Sequence, residues 1–180
     1  MKAVRVVGYH QPLQMDDVPA PEVTGPHDVI VKIGGAGVCR TDLHILEGQW
    51  AEKSGVTLPY TIGHENAGWV HAVGTAVTNV AEGDKVILHP LITCGLCRAC
   101  RDGDDVHCGR SVFPGLFAPG GFAQYLKSGA RSVRISIDGN AHFCRGLLQT
   151  RYPGSDADQV PRADERPLLP LLVPSKGPTS

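Results

Sequence analysis

Thr93-Cys94-Gly95-Leu96-Cys97-Arg98-Ala99-Cys100-Arg101-Asp102-Gly103-Asp104-Asp105-Val106-His107-Cys108 places four cysteines within fifteen residues, at the spacing C-x2-C-x2-C-x7-C. Four thiolates this close supply a tetrahedral sulfur cage, and zinc suits such a cage when no coordination position is left open. Gly95 and Gly103 ease the turns between the cysteines. Free cysteines elsewhere behave as small buried hydrophobes, but these stand among Arg, Asp and Gly in a polar loop. An iron–sulfur cluster is the competing reading, because C-x2-C-x2-C also opens bacterial ferredoxin sites. Those continue with x3-C-P, whereas here the gap is x7 and Gly109 follows Cys108.

The cage leaves Cys39 out. Cys39 lies upstream of Gly63-His64-Glu65, and one thiolate, one imidazole and one carboxylate compose a zinc site of a different kind, with a position open to water or substrate. Taken singly, a cysteine after Gly37-Val38 is an inert buried residue and a lone histidine a structural one. Thr41 and His44 follow Cys39 closely. A hydroxyl and an imidazole near a metal-bound alcohol can pass its proton outward, although alone they read as a helix cap and a surface histidine. His71, His89, His107 and His142 have no partner that spacing identifies, and His107 borders a cage that already has four ligands.

The bulk composition narrows the setting. The chain has 180 residues, 42% hydrophobic and 6% aromatic, so its core is built from Val, Ile, Leu and Ala. A net charge of -1 gives no reason to expect a nucleic-acid or membrane partner. Met1–Gly8 is too short an apolar run for a secretion signal and carries Arg5 inside, and no stretch reaches membrane-spanning length. The chain is therefore expected to be cytoplasmic, where six cysteines serve metals better than disulfides. A disulfide scaffold is the third reading. Thiol titration of the folded, metal-stripped chain tests it.

High Gly (22) and Pro (14) favour short strands and turns. Strands are expected at residues 2–7, 28–33, 67–77, 85–88, 121–127 and 131–137, with a turn at Glu82-Gly83-Asp84 and a break at Gly34-Gly35-Ala36-Gly37. A short helix is expected at 40–46, with Thr41 as its N-cap and Asp42 in its first turn. Many short strands with frequent turns describe a mainly β, barrel-like domain. The character changes after about residue 134. Residues 136–180 hold six of the fourteen prolines and keep no period, and only 141–149 has the pattern of a brief helix. Proline-interrupted leucines make neither helix nor central strand, so this tail is expected to be poorly ordered.

Together these motifs resemble the zinc-dependent medium-chain alcohol dehydrogenases. Gly37-Val38-Cys39-Arg40-Thr41-Asp42-Leu43-His44 resembles that family's first zinc-ligand motif. Gly63-His64-Glu65-Asn66-Ala67-Gly68, with Gly74 and Val77 beyond it, resembles its G-H-E-x-x-G signature. The cysteine stretch resembles its structural zinc loop, and Gly83–Val86 and Gly120–Tyr125 stand where it has similar segments. The resemblance covers roughly residues 1–134 and implies a GroES-like β-barrel with a structural zinc lobe. It implies that Cys39 and His64 bind a catalytic zinc and that Glu65 stands behind them or exchanges as a ligand. It further implies that Thr41 bonds the substrate hydroxyl, that His44 completes a proton relay, and that Arg40 faces the pyrophosphate of NAD or NADP. The substrate class implied is a small alcohol, aldehyde or ketone.

Two departures qualify the resemblance. The family continues into a Rossmann domain with a glycine fingerprint, and none is read here. Gly35-Ala36-Gly37-Val38-Cys39-Arg40 matches only its first half. The family's remaining catalytic ligand has no counterpart in a matching context, although Cys144, Asp156 and Asp158 are chemically able. The expectation is therefore one half of a dehydrogenase, inactive by itself, with a non-catalytic zinc-binding β-domain as the alternative. The oligomeric state, the alcohol and the choice between NAD and NADP stay open. The loss of likeness after residue 134 suggests a shifted reading frame or a mispredicted gene end. That idea fails if neither other downstream DNA frame encodes a glycine fingerprint.

Overall fold

The computed structural model describes residues 1–51 and 56–135. The expected brief helix at 141–149, the poorly ordered tail, the domain limit at 134 and the tail's candidate ligands Cys144, Asp156 and Asp158 concern residues at or beyond the end of that range. Within it, eight strands run in the order β1 (Lys2–Val6), β2 (Gln14–Asp17), β3 (Asp28–Gly37), β4 (Tyr60–Thr61), β5 (Glu65–Val73), β6 (Lys85–Leu88), β7 (Tyr125–Gly129) and β8 (Val133–Ile135). The described residues also include two short α-helices, α1 (Arg40–Leu46) and α2 (Arg98–Arg101), and 3-10 turns at Asp105–His107 and Ala130–Ser132.

The strands form a three-stranded sheet, β2-β1-β4, and a five-stranded sheet, β7-β3-β5-β6-β8, with every pair antiparallel. The segment entering β7 stitches the two together. Ala3 pairs with Ala123, Val4 N–H donates to Phe122 O at 2.7 Å, and Gln124 N–H donates to Lys2 O at 3.1 Å. The result is a curled half-barrel, and the mainly β fold expected from the sequence is borne out.

Two cores divide the work. Val29, Val31, Val70, Val86, Leu88, Leu126 and Val133 fill the five-stranded sheet's inner face. Val29 and Val31, two apart on β3, are wholly buried, as strand alternation requires, and each contributes about 1.5–3 kcal/mol. The second core joins Val6, Ile45, Ile62, Leu116 and Phe122. It lies beneath α1, so Ile45 anchors that helix beside the chain that enters β5.

Several boundaries differ from expectation. β3 does not stop at Gly34 but runs to Gly37, slipping register between Ile33 and Gly35. A Cβ at Gly34 would meet the Trp69 ring, so the strand continues only because glycine lets that ring approach. β5 begins at Glu65 and ends at Val73, because a turn opens at Gly74, whose carbonyl accepts the Val77 N–H at 3.1 Å. β7 starts at Tyr125 rather than 121, and Ala130–Ser132 forms a 3-10 turn before β8. The cap of α1 is Cys39, not Thr41. β2 and β4 were not expected at all. The turn at Glu82–Asp84, the strand at Lys85–Leu88 and the helix at Arg40–Leu46 stand where the pattern put them.

Candidate metal centres

The pairing of β3 with β5 builds the first centre. Gly37 lies opposite Glu65 in the ladder. Cys39, two residues past one strand end, therefore meets His64, one residue before the other. Gly63 precedes the histidine with φ of 99°, a conformation that side-chain-bearing residues rarely adopt, and a Cβ there would strike the Phe122 ring. Donor atoms of Cys39, His64 and Glu65 all lie within 4.8 Å of one another.

Asp42 ties this centre together. Its side chain is only 2% exposed. One oxygen accepts the Cys39 N–H at 2.9 Å, and the other accepts the Gly63 N–H at 3.2 Å. The second oxygen also stands 3.5 Å from His64 Nδ1, long for a hydrogen bond. That buried nitrogen has no closer partner. One carboxylate thus links the N-terminus of α1 to the entry of β5. In the sequence Asp42 stands out only as an acidic residue in the first turn of the helix. The signal was present, because an acidic residue three positions after an N-cap is the reciprocal half of a capping box.

The local field suits a cation. The Asp42 carboxylate, and after it the Cys39 sulfur, hold the His64 imidazolium up to about 9 against the opposing effect of burial. The Thr41 backbone N–H, followed by His64, draws the Cys39 thiol down. A thiolate and an imidazole facing one another on a carboxylate-oriented ring are the donors zinc uses when one position stays open. The residues present fit that ion.

Of the other expected residues, Thr41 sits closest, its Oγ1 3.7 Å from Cys39 Sγ. His44 lies one turn along the same helix. Its Nδ1 is 3.8 Å from Glu47, outside the Cys39–His64–Glu65 group. Arg40 begins α1 with its side chain exposed beside Cys39. Phe113, which the sequence reading passed over, packs its ring 5.3 Å from that of His64.

The second centre is the cysteine lobe. Its neck is closed by reciprocal bonds between Ile92 and Val112, both 2.8 Å. Inside it, Cys97 Sγ is 3.5 Å from Cys100 Sγ, Cys108 Sγ is 3.6 Å from Cys94 Sγ, and Cys94 Sγ is 4.0 Å from Cys100 Sγ. These are cage edges, not disulfides (about 2.05 Å), and all the cysteines among the described residues are free thiols. The backbone N–H groups of Leu96 and Cys97 pull the Cys94 thiol down to about 6, whereas burial and the neighbouring Cys97 push Cys100 up to about 12. Four sulfurs at this separation cannot all be thiolates without a cation between them. The site therefore fits a divalent soft-ligand ion, zinc above all. His107, which bordered the cage in sequence, turns instead to Asp104 at 2.7 Å. His71 packs its ring 4.9 Å from that of Tyr125.

Residues 25–136 match the family model described as the alcohol dehydrogenase GroES-like domain. L-threonine 3-dehydrogenase of Aeromonas salmonicida (strain A449) is 42% identical over 127 residues, which cover 70% of this chain and 36% of that protein. The crystal structure of the alcohol dehydrogenase from the hyperthermophilic archaeon Aeropyrum pernix superposes with a TM-score of 0.75 at 45% identity, covering 83% of this chain and 43% of that one. A putative zinc-binding dehydrogenase from Sinorhizobium meliloti 1021, bound to NADP, does so with a TM-score of 0.64 at 34% identity, covering 76% and 38%. The chain thus spans well under half the length of the proteins it matches. Its family is nonetheless shown, and the chain belongs to the zinc-dependent medium-chain alcohol dehydrogenases through their GroES-like domain.

Proposed function

We propose that residues 1 to about 134 are the metal-binding catalytic unit of an NAD(P)-dependent alcohol dehydrogenase that interconverts a small alcohol with an aldehyde or ketone. The observation that carries this reading is the convergence of Cys39, His64 and Glu65 with Thr41 beside them. Zinc, when bound, acts as a Lewis acid that lowers the pKa of the alcohol oxygen.

The chain's own residues do the rest. Cys39 and His64 hold the ion, and Glu65 ligates it or stands behind. Asp42 sets a negative charge 3.5 Å from His64 Nδ1 and so favours the ring's present orientation. Thr41 Oγ1 accepts a hydrogen bond from the substrate hydroxyl and passes its own proton on as it takes the substrate's, and His44, on the next turn of the same face, would finish that relay through the cofactor ribose. Phe113 closes one side of the His64 ring and keeps water from it. Arg40, exposed at the start of α1, faces the cofactor pyrophosphate. Cys94, Cys97, Cys100 and Cys108 hold a structural zinc that shapes the lobe and takes no part in the chemistry.

A bound nicotinamide would supply the acceptor for hydride from the substrate carbon. Among the described residues no strand–turn–helix with a glycine fingerprint offers a dinucleotide site. The described residues by themselves are therefore proposed to bind metal without turnover. The proposed setting is the cytoplasm, with no nucleic-acid or membrane partner. No helix among the described residues is long and apolar enough to cross a membrane.

The non-catalytic zinc-binding β-domain remains the second reading, favoured by that same want of a dinucleotide site. Metal content and alcohol-dependent NAD(P)+ reduction separate the two. Metal at both centres, with turnover once a dinucleotide-binding half is joined on, supports the enzyme unit. Metal in the lobe alone, with no turnover in the joined protein, sinks it.

A further inference from the structure

Two arginines that the proposed chemistry does not use reach the cysteine lobe, Arg110 onto a cage sulfur and Arg131 from the barrel onto the Cys100 backbone. Arg110 Nη2 donates to Cys94 Sγ at 3.5 Å. Arg131 reaches in from the 3-10 turn between β7 and β8. Its Nη2 lies 2.9 and 3.0 Å from the two Asp105 oxygens and 3.5 Å from Cys100 O, while its Nε donates to Thr93 Oγ1 at 3.3 Å. The aliphatic stem of Arg131 also covers the Gly95 turn, where a Cβ would come within 3.3 Å of its Cδ. One side chain of the barrel therefore spans the lobe from Thr93 past Cys100 to Asp105.

The electrostatics give these contacts a purpose. A divalent ion among four thiolates leaves a net charge of about −2 on the cage. Cations nearby offset that charge, and N–H donors to a ligating sulfur stabilise its thiolate form. A third arginine in the lobe provides the contrast. The Arg98 side chain is 95% exposed and pairs only loosely with Asp102, at 3.5 Å.

The geometry points to Arg110 and Arg131 as positioning residues of the four-thiolate site: Arg110 stabilises the Cys94 thiolate directly, and Arg131 locks the Cys100 turn to the barrel, so that together they set how tightly and how long the cage holds its metal. This inference rests on the reading of the lobe as a zinc cage. The chemical partner is a divalent thiophilic cation, and the arginines govern its release rather than its identity.

The test uses the full chain loaded with zinc and chased with a chromogenic chelator, and in parallel the cobalt(II)-substituted chain with its thiolate-to-cobalt charge-transfer bands. Arg131→Met is expected to speed release from the lobe about 10-fold or more, and Arg110→Met to speed it by less. Arg110→Met should also shift the charge-transfer bands, a change that simple loosening of the loop does not produce. Arg110→Lys should restore much of the parental behaviour, and Arg98→Met, which removes the same charge from the same lobe, should release at the parental rate. Should Arg131→Met fail to fold, the Arg110 pair of variants still decides. Parental release rates and bands in both methionine variants overturn the inference, as does equal acceleration in Arg98→Met. A parental chain with no thiolate-to-cobalt bands overturns the zinc-cage reading and this inference together.

Discussion

The two candidate metal centres are built in opposite ways. The cysteine lobe takes its donors from residues 94–108, a single excursion closed at its neck by Ile92 and Val112. The Cys39–His64–Glu65 centre takes its donors from two places 25 residues apart, brought together by the β3–β5 ladder and held by one buried carboxylate. A site on a loop can lose its metal while the barrel stands. A site made by strand register shares its supports with the barrel, so damage to one is damage to both.

That contrast is open to direct attack, and the largest effect is expected at Asp42. Asp42→Ala removes the acceptor of one buried and one partly buried N–H group and the counter-charge of His64. It should cost about 3–5 kcal/mol of stability and empty the Cys39 centre. Chemical denaturation together with metal counting reads both, and a variant of parental stability would break the claim that the centre is structural to the barrel. Next comes Gly63→Ala, which puts a side chain at φ of 99° and against Phe122. A loss of about 1–3 kcal/mol is expected, again with reduced metal at Cys39.

On the lobe side the expected cost is smaller. Cys97→Ser should lower stability by on the order of 1–2 kcal/mol and remove the lobe's metal while leaving that at Cys39 and His64. Full metal content with an unchanged thermal midpoint would mean that the cage is misassigned. Smallest is Thr41→Ala, which should change stability by less than about 0.5 kcal/mol and leave metal content alone. Its effect should appear only as lost turnover when a dinucleotide-binding half is joined. Unimpaired turnover there would remove Thr41 from the proton path.

The same contrast explains how much of this was legible in the sequence. The lobe was readable because its donors are local and their spacing is the site. The β-branched run at Val29–Val31 and the short run at Lys85–Leu88 were readable because burial imposes such residues directly. β2 was not. Gln-Met-Asp-Asp carries no apolar alternation and is a strand because β1 pairs with it, a tertiary effect that overrides propensity. β4 is two residues long and exists by its pairing with β1 in the same way. The late start of β7 has a steric origin. Gly120 and Gly121 lie against the 62–63 backbone and Asn66, too close for side chains, and only beyond them does the chain settle into a ladder. Cys39, His64 and Glu65 were legible as residue types, but the agent of their convergence was not. Asp42 looked like an ordinary first-turn acid, and only its burial between Cys39 and Gly63 reveals its part.

Metal stoichiometry across three chains tests the central claim most directly. Zinc per chain is measured for the parental protein, Cys39→Ser and Cys97→Ser, all purified alike. The account predicts two ions in the parent, one for each ligand group, and loss of a different single ion in each variant. The contradicting result is one ion in the parent that Cys39→Ser leaves in place. The chain would then hold metal in its lobe alone.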